Sequence, residues 1–277
     1  MKKHPRALMS QMERLIETAL APGRFVSDGG NFSFVSKLET AERELAKLNP
    51  TAPAQAVALY ETFLAGCYEK AEEIDDSSGS FGQFVDELYC GWIKARQAAG
   101  ADPDETATRL LRWMEDDPYG FCYDLEKDAA KVLNKAGRAA FVKQIRERFD
   151  AAATASPVPG DSSRRNPDYA RRRWGGSLRT VYLEQKNVEA YLALAKETGP
   201  KAEDCHALAT LLVARRRAEE ALSWVERGIE LDKKAPHGSM AGYDLAKLKR
   251  DLLTKLGRGN EALAAAWAEY REHPSKF

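Results

Sequence analysis

The sequence predicts an all-α protein built from helical hairpins, and three observations carry that expectation. Ala, Leu, Glu, Lys and Arg dominate its 277 residues, and these residue types lose least on entering a helix. Apolar side chains recur every three or four positions along most of the chain, the spacing of one helical face. Three segments of the C-terminal half share one pattern: an aliphatic start, a polar turn, then Glu-Ala and a large residue.

The elements follow in order. The basic opening MKKHPRALMSQMERLIE leads into no apolar run, so no secretory leader is expected. RFVSDGGNFSFV (24–35) alternates weakly around Gly29-Gly30, and a short hairpin or irregular loop is expected there, with any strand content confined to these residues. In PAQAVALYETFLAGCYEKAEEI the apolar stripe is Val57, Tyr60, Leu64, Cys67, Ala71 and Ile74, and in SFGQFVDELYCGWIKA it is Phe81, Val85, Leu88 and Trp92. Asp102-Pro103-Asp104-Glu105 reads as an N-cap, a proline at the first helical position, and acids that suit the helix dipole. DLEKDAAKVLNKAG carries Leu125, Ala129, Val132 and Ala136, with Gly137 as its expected C-cap. RAAFVKQIRERF carries Phe141, Ile145 and Phe149.

AAATASPVPGDSS (151–163) is small, polar and proline-containing, the composition of a linker. The expected organisation is a helical lobe over 1–150, a linker over 151–166 and helical repeats over 167–277. Within the repeats, VYLEQKNVEAY (181–191), LVARRRAEEAL (212–222) and LTKLGRGNEAL (253–263) align at intervals of 31 and 41 residues. An insertion, DKKAPHGSMAG (232–242), accounts for the longer interval. Ala190, Ala221 and Ala262 are the small residues expected to let paired helices pack closely. Such pairs bury their apolar faces only by stacking into a solenoid.

This pattern resembles tetratricopeptide-like repeats, with Pro274 standing where such a repeat ends. The stretch FLAGCYEKAEEIDDSSGSFGQFVDEL, the segment ADPDETATRLLRWMEDDPYGF and the Glu-Ala repeats running to HPS together resemble a bacterial helical-repeat family of unknown function. They are also similar to the helical region that follows the finger in SWIM zinc-finger proteins. The resemblance covers most of residues 25–277 and brings no catalytic residue with it. The SWIM finger needs a Cys-x-Cys pair followed by Cys-x-His, and neither occurs, so zinc is not implied.

Composition narrows the function. Lys+Arg and Asp+Glu stand at 42 each, so no global charge draws the chain to nucleic acid or to an anionic membrane. Residues 1–150 hold 20 Lys+Arg against 25 Asp+Glu, a balance of −5, and residues 151–277 hold 22 against 17, a balance of +5. The longest stretch free of charge, residues 48–60, contains Pro50, Pro53 and Gln55, so no membrane span is expected. Four widely spaced cysteines, Cys67, Cys90, Cys122 and Cys205, fit reduced thiols in a cytoplasm.

Few residues point to chemistry. IDDSSGSFG (74–82) lacks the alternating ligands of a calcium loop and reads instead as a turn in which Asp76 or Ser78 caps the next helix. MEDDPYGFCYD (114–124) gathers Glu115, Asp116, Asp117 and Asp124, which would suit a hydrolase if they converged and otherwise form a loop. Cys205 and His206 are adjacent and so diverge on a helix, while His4, His237 and His273 stand alone. No Gly-rich phosphate loop, no G-x-G-x-x-G and no G-x-S-x-G occurs, and no cofactor or metal is expected.

The segment RRNPDYARRRWGGSLRTVYLEQK (164–186) has seven basic residues against two acidic ones, interleaved with Tyr169, Trp174 and Tyr182. Trp174, Leu178 and Val181 fall on one helical line, expected to be buried. Arg172, Arg179 and Lys186 fall on another about 140° away, at about 100° per residue. They are the candidate contact for a polyanion or an acidic partner. Nucleic-acid binding would need bases stacked on exposed aromatics beside those charges, so the ridge is expected to be a solvated helix face. The expected function is a non-enzymatic scaffold for a protein or peptide partner. A nucleic-acid-associated protein using 164–186 is the alternative, and a hydrolase using 114–124 the third reading.

Overall fold

The computed structural model describes residues 5–21, 23, 25–155, 166–234 and 239–272. Thirteen α-helices make up the described chain, and no strand occurs among these residues. Arg164, Arg165, His4, His237, His273, Pro274 and most of the expected linker lie outside the described residues.

The chain divides into two compact units, Met1–Ser177 and Leu178–Phe277. The first holds α1 (Pro5–Leu20), α2 (Asp28–Ala46), α3 (Pro53–Lys70), α4 (Ser80–Ala98), α5 (Pro103–Glu115), α6 (Leu125–Val132) and α7 (Lys135–Thr154). The division falls within α8 (Pro167–Glu184). Helix α4 packs against α2, α3 and α6, and α5 packs against α7. The expected α4 stripe of Phe81, Val85, Leu88 and Trp92 is wholly buried. Tyr60 and Phe63 of α3 are wholly buried too, and the Phe63 ring lies 5.4 Å from that of Phe84 on α4.

Two local expectations give way. No hairpin forms at 24–35: α2 begins at Asp28 and runs through both glycines, because Phe34, Val35 and Leu38 bury at helical spacing. Among the described residues the only extended pairing is one bridge, in which Val26 N–H donates to Glu73 O at 2.9 Å and Asp75 N–H donates to Val26 O at 2.8 Å. This pairing also stops the α3 stripe short of Ile74. Gly137 is no C-cap but sits in the first turn of α7, donating its N–H to Asn134 Oδ1 at 2.9 Å. The Asn134 cap overrides the glycine signal, since an N-cap oxygen satisfies an otherwise orphaned helix donor.

The second unit holds the rest of α8, then α9 (Val188–Thr198), α10 (Ala202–Ala214), α11 (Ala218–Lys234), α12 (Met240–Lys255) and α13 (Gly259–Glu272). Consecutive helices from α9 onward pack in order, and α10 also reaches α12, as in a stack of hairpins. The three polar turns share one geometry. Lys186, Arg216 and Gly257 adopt left-handed φ values of 52°, 60° and 75°. The next residue in each turn donates back to Tyr182 O, Leu212 O or Leu253 O at 2.8–2.9 Å. This is a Schellman C-cap used three times.

Positions 186, 216 and 257 are 30 and 41 residues apart, so the first copy stands one residue out of the register the sequence suggests. Tyr191, Ala221 and Ala262 are therefore equivalent, and Ala190 is not the close-packed position. Two of the turns carry no glycine to mark the left-handed residue, so the sequence pattern alone misplaces it.

Close packing also marks α11. A Cβ at Gly228 would lie 2.8 Å from Cys205 Cβ and 2.7 Å from Leu245 Cδ1. Ala221 is wholly buried in the same helix. Ala221→Leu is expected to lower stability by about 1–3 kcal/mol through overpacking. The same change at half-buried Ala262 should stay within about 0.5 kcal/mol. Thermal unfolding of both variants tests this, and equal shifts would contradict the difference in packing between the two positions. Helix α13 ends the described stack with Leu263, Trp267 and Tyr270 exposed.

Candidate functional site

The carboxylates of 114–124 do not converge. Asp116 and Asp124 are exposed, and Glu115 accepts from Arg148 Nε at 2.6 Å. Asp117 is buried as the anchor of its own loop. Its carboxylate accepts from Phe121 N–H at 3.0 Å, Cys122 N–H at 2.8 Å and the Tyr68 hydroxyl at 3.1 Å. Tyr68 also meets the Tyr89 hydroxyl at 3.0 Å, and the Cys122 thiol donates to Tyr89 at 3.3 Å. Burial pushes the Cys122 thiol up to about 12, so it is held as an unreactive thiol.

The 74–82 turn caps a helix, as its sequence suggests. Asp76 accepts from Phe81 N–H and Gly82 N–H, each at 2.8 Å, at the start of α4. Buried Asn31 ties the same turn to α2, donating to Asp76 Oδ1 at 3.0 Å and Asp75 O at 3.2 Å. Cys205 is a core thiol, pushed up to about 11 by burial. Asp86 is the carboxylate raised furthest, to about 7, by burial and then by the charges of Asp128 and Asp124. No base or nucleophile is placed beside it by a hydrogen bond among the described residues.

The basic segment splits by environment. Trp174, Leu178 and Val181 are buried as expected, and Tyr182 with them. Arg172 is exposed. Arg179, expected on the same ridge, turns inward. Its Nε donates to Asp204 Oδ1 at 2.6 Å and its Nη2 to Thr198 Oγ1 at 2.6 Å. Asp204 also accepts from the Tyr191 hydroxyl at 2.9 Å and from Lys201 N–H at 3.0 Å. Burial alone would raise the Asp204 pKa, but the Arg179 hydrogen bond and these further donors hold it below the usual carboxylate range. Lys186 is exposed but has left the helix at its left-handed turn. A spacing of seven residues predicts one ridge only while the helix continues and nothing buried claims the charge. Here neither condition holds.

An open groove of about 430 Å³ lies among α3, α4 and α5. Trp92 forms its floor, and its indole N–H donates to Glu61 Oε1 at 3.1 Å. Arg96, one turn on, lies 5.5 Å over the Trp92 ring and donates through Nε to Thr106 Oγ1 at 3.1 Å. Its Nη2 meets Glu105 at 3.5 Å. Arg109 lies 4.8 Å over Trp113, whose ring meets Trp92 edge-on at 4.7 Å. Arg112 lines the same wall. Neither Arg109 nor Arg112 forms an ion pair among the described residues.

Sequence reasoning passed over this groove. Its local signal is two Arg–Trp pairs at helical spacing, Trp92–Arg96 and Arg109–Trp113. Such pairs order a guanidinium over a ring. A second cavity, about 540 Å³, opens by Ser27, Ser33, Phe34 and Lys37, with Lys37 its only charged lining residue.

The chain belongs to the family described as Family of unknown function (DUF6880), whose model matches residues 5–274. A search of curated proteins found no match. No helix among the described residues is long and apolar enough to cross a membrane.

Proposed function

We propose that this member of a family of unknown function is a non-enzymatic helical scaffold that holds a protein or peptide partner. The observation that carries the reading is the groove of the first unit, a site with both donors and acceptors over a buried aromatic floor. Recognition sites combine an apolar base with a few placed polar groups in this way. The likeness of the C-terminal repeats to the tetratricopeptide-like region of SWIM zinc-finger proteins supports it by analogy, because stacked hairpins expose extended binding surfaces. The thiols suit the reducing cytoplasm of a bacterium.

The alternatives have less to rest on. Asp117 spends its oxygens on its own loop, and Trp174 and Tyr182 are buried where base stacking would need them exposed. The experiment is photo-crosslinking in expressing cells from a photoreactive residue at exposed Asp104, on the groove, and at exposed Glu69 of α3, outside its lining. A discrete polypeptide adduct from position 104 alone is expected. Equal labelling from both positions, or a nuclease-sensitive adduct, would overturn the scaffold reading.

A further inference from the structure

We propose that the groove of the first unit takes an extended acidic peptide, with carboxylate side chains at alternate positions. The inference rests on the partner-binding reading above and adds the chemistry of the partner.

The groove offers guanidinium groups that the protein itself leaves free. Arg96 is spent on Thr106 and Glu105. Arg109 lies 4.8 Å over the Trp113 ring with no counter-ion among the described residues, and Arg112 is exposed with none either. A guanidinium over an indole face still has N–H groups that can meet a carboxylate bidentately. Arg109 and Arg112 are three residues apart on one helix, which sets their Cβ atoms about 5–6 Å apart. Side chains on the same side of an extended peptide are two residues apart, at about 3.3 Å per residue. A Glu-x-Glu segment therefore presents its carboxylates at close to the spacing of the two arginines.

The acceptors of the groove decide between a peptide and a nucleic acid. Glu61, Asp104 and Glu105 line the same space. Glu61 gives one oxygen to the Trp92 indole, leaving the other to accept a peptide amide N–H. A phosphodiester backbone brings only acceptors and would face these three carboxylates without donors of its own.

The test is fluorescence anisotropy on the full chain at low ionic strength, where exposed charge pairs are least screened. The probes are labelled peptides containing Glu-Ser-Glu-Ser-Glu or Gln-Ser-Gln-Ser-Gln and an oligothymidylate of equal charge. The glutamate peptide is expected to bind at least about tenfold more tightly than the glutamine peptide, consistent with two charge-assisted contacts. Arg109→Ala/Arg112→Ala should abolish that preference while the thermal transition is retained. Arg112→Glu alone should also abolish it, and its packing risk is small because Arg112 is exposed.

Equal binding of the two peptides, no binding of either, or a preference that survives in a folded Arg112→Glu variant would overturn the proposal. Tighter binding of the oligothymidylate, lost in the same variants, would assign the groove to nucleic acid instead. A polypeptide adduct from position 104 with no glutamate preference would remove the acidic class alone and leave the scaffold reading in place.

Discussion

Arg179→Ala is expected to destabilise the repeat unit by about 3 kcal/mol, the low end for removing one partner of a buried ion pair. The side chains of Arg179 and Asp204 are 22% and 4% exposed, so the arginine is partly wetted and the carboxylate is not. Without Arg179, Asp204 keeps Tyr191 and Lys201 N–H as donors but loses its counter-charge. Arg172→Ala, at an exposed position on the same helix, should change stability by no more than about 0.5 kcal/mol.

The pH dependence has a definite sign. The folded pKa of Asp204 is depressed. Its contribution is therefore complete above the unfolded carboxylate value of about 3.9 and is lost as pH falls through the lower folded value. The gap between wild type and Arg179→Ala should thus be widest near neutral pH and narrow below about pH 4. Urea unfolding at neutral and acid pH measures both. Wild-type stability in Arg179→Ala would show that the ion pair holds nothing together and would return Arg179 to the pool of ligand-facing charges.

Asp117→Ala is the second large effect, also about 3 kcal/mol. The substitution removes the acceptor of two backbone N–H groups and of the Tyr68 hydroxyl. Each buried group left without a partner costs about 1–3 kcal/mol, and relaxation of the loop recovers part of the sum. Asp116→Ala, next to it and exposed, should be neutral within about 0.5 kcal/mol. A hydrolytic pair would behave differently, because both carboxylates would be dispensable for stability. Asp117→Ala at wild-type stability would therefore reopen the hydrolase reading, and a large loss confined to Asp117 would make it a loop anchor.

The sequence by itself determined the helical class, most helix faces and the caps that act within one turn. Asp102 accepts from Asp104 N–H at 2.7 Å, as its place before Pro103 implies. Phe141, Ile145 and Phe149 are wholly buried at the spacing that marked them, and Trp174, Leu178 and Val181 likewise. These features depend on residues three or four positions apart, and such positions are neighbours on any helix.

Only the tertiary structure decided which charges are spent. Arg179 on α8 and Asp204 on α10 are 25 residues apart and meet only in the folded chain. The groove joins Glu61, Trp92 and Arg112 from three helices, and nothing in the spacing of those residues brings them to one place. The left-handed turns at Lys186 and Arg216 were equally illegible, since neither carries the glycine that usually marks them. Helix periodicity records which face is apolar. Which charged residue on the other face finds a partner is settled by what the neighbouring helix presents, because a buried charge stays buried only where an opposite charge or a set of donors meets it.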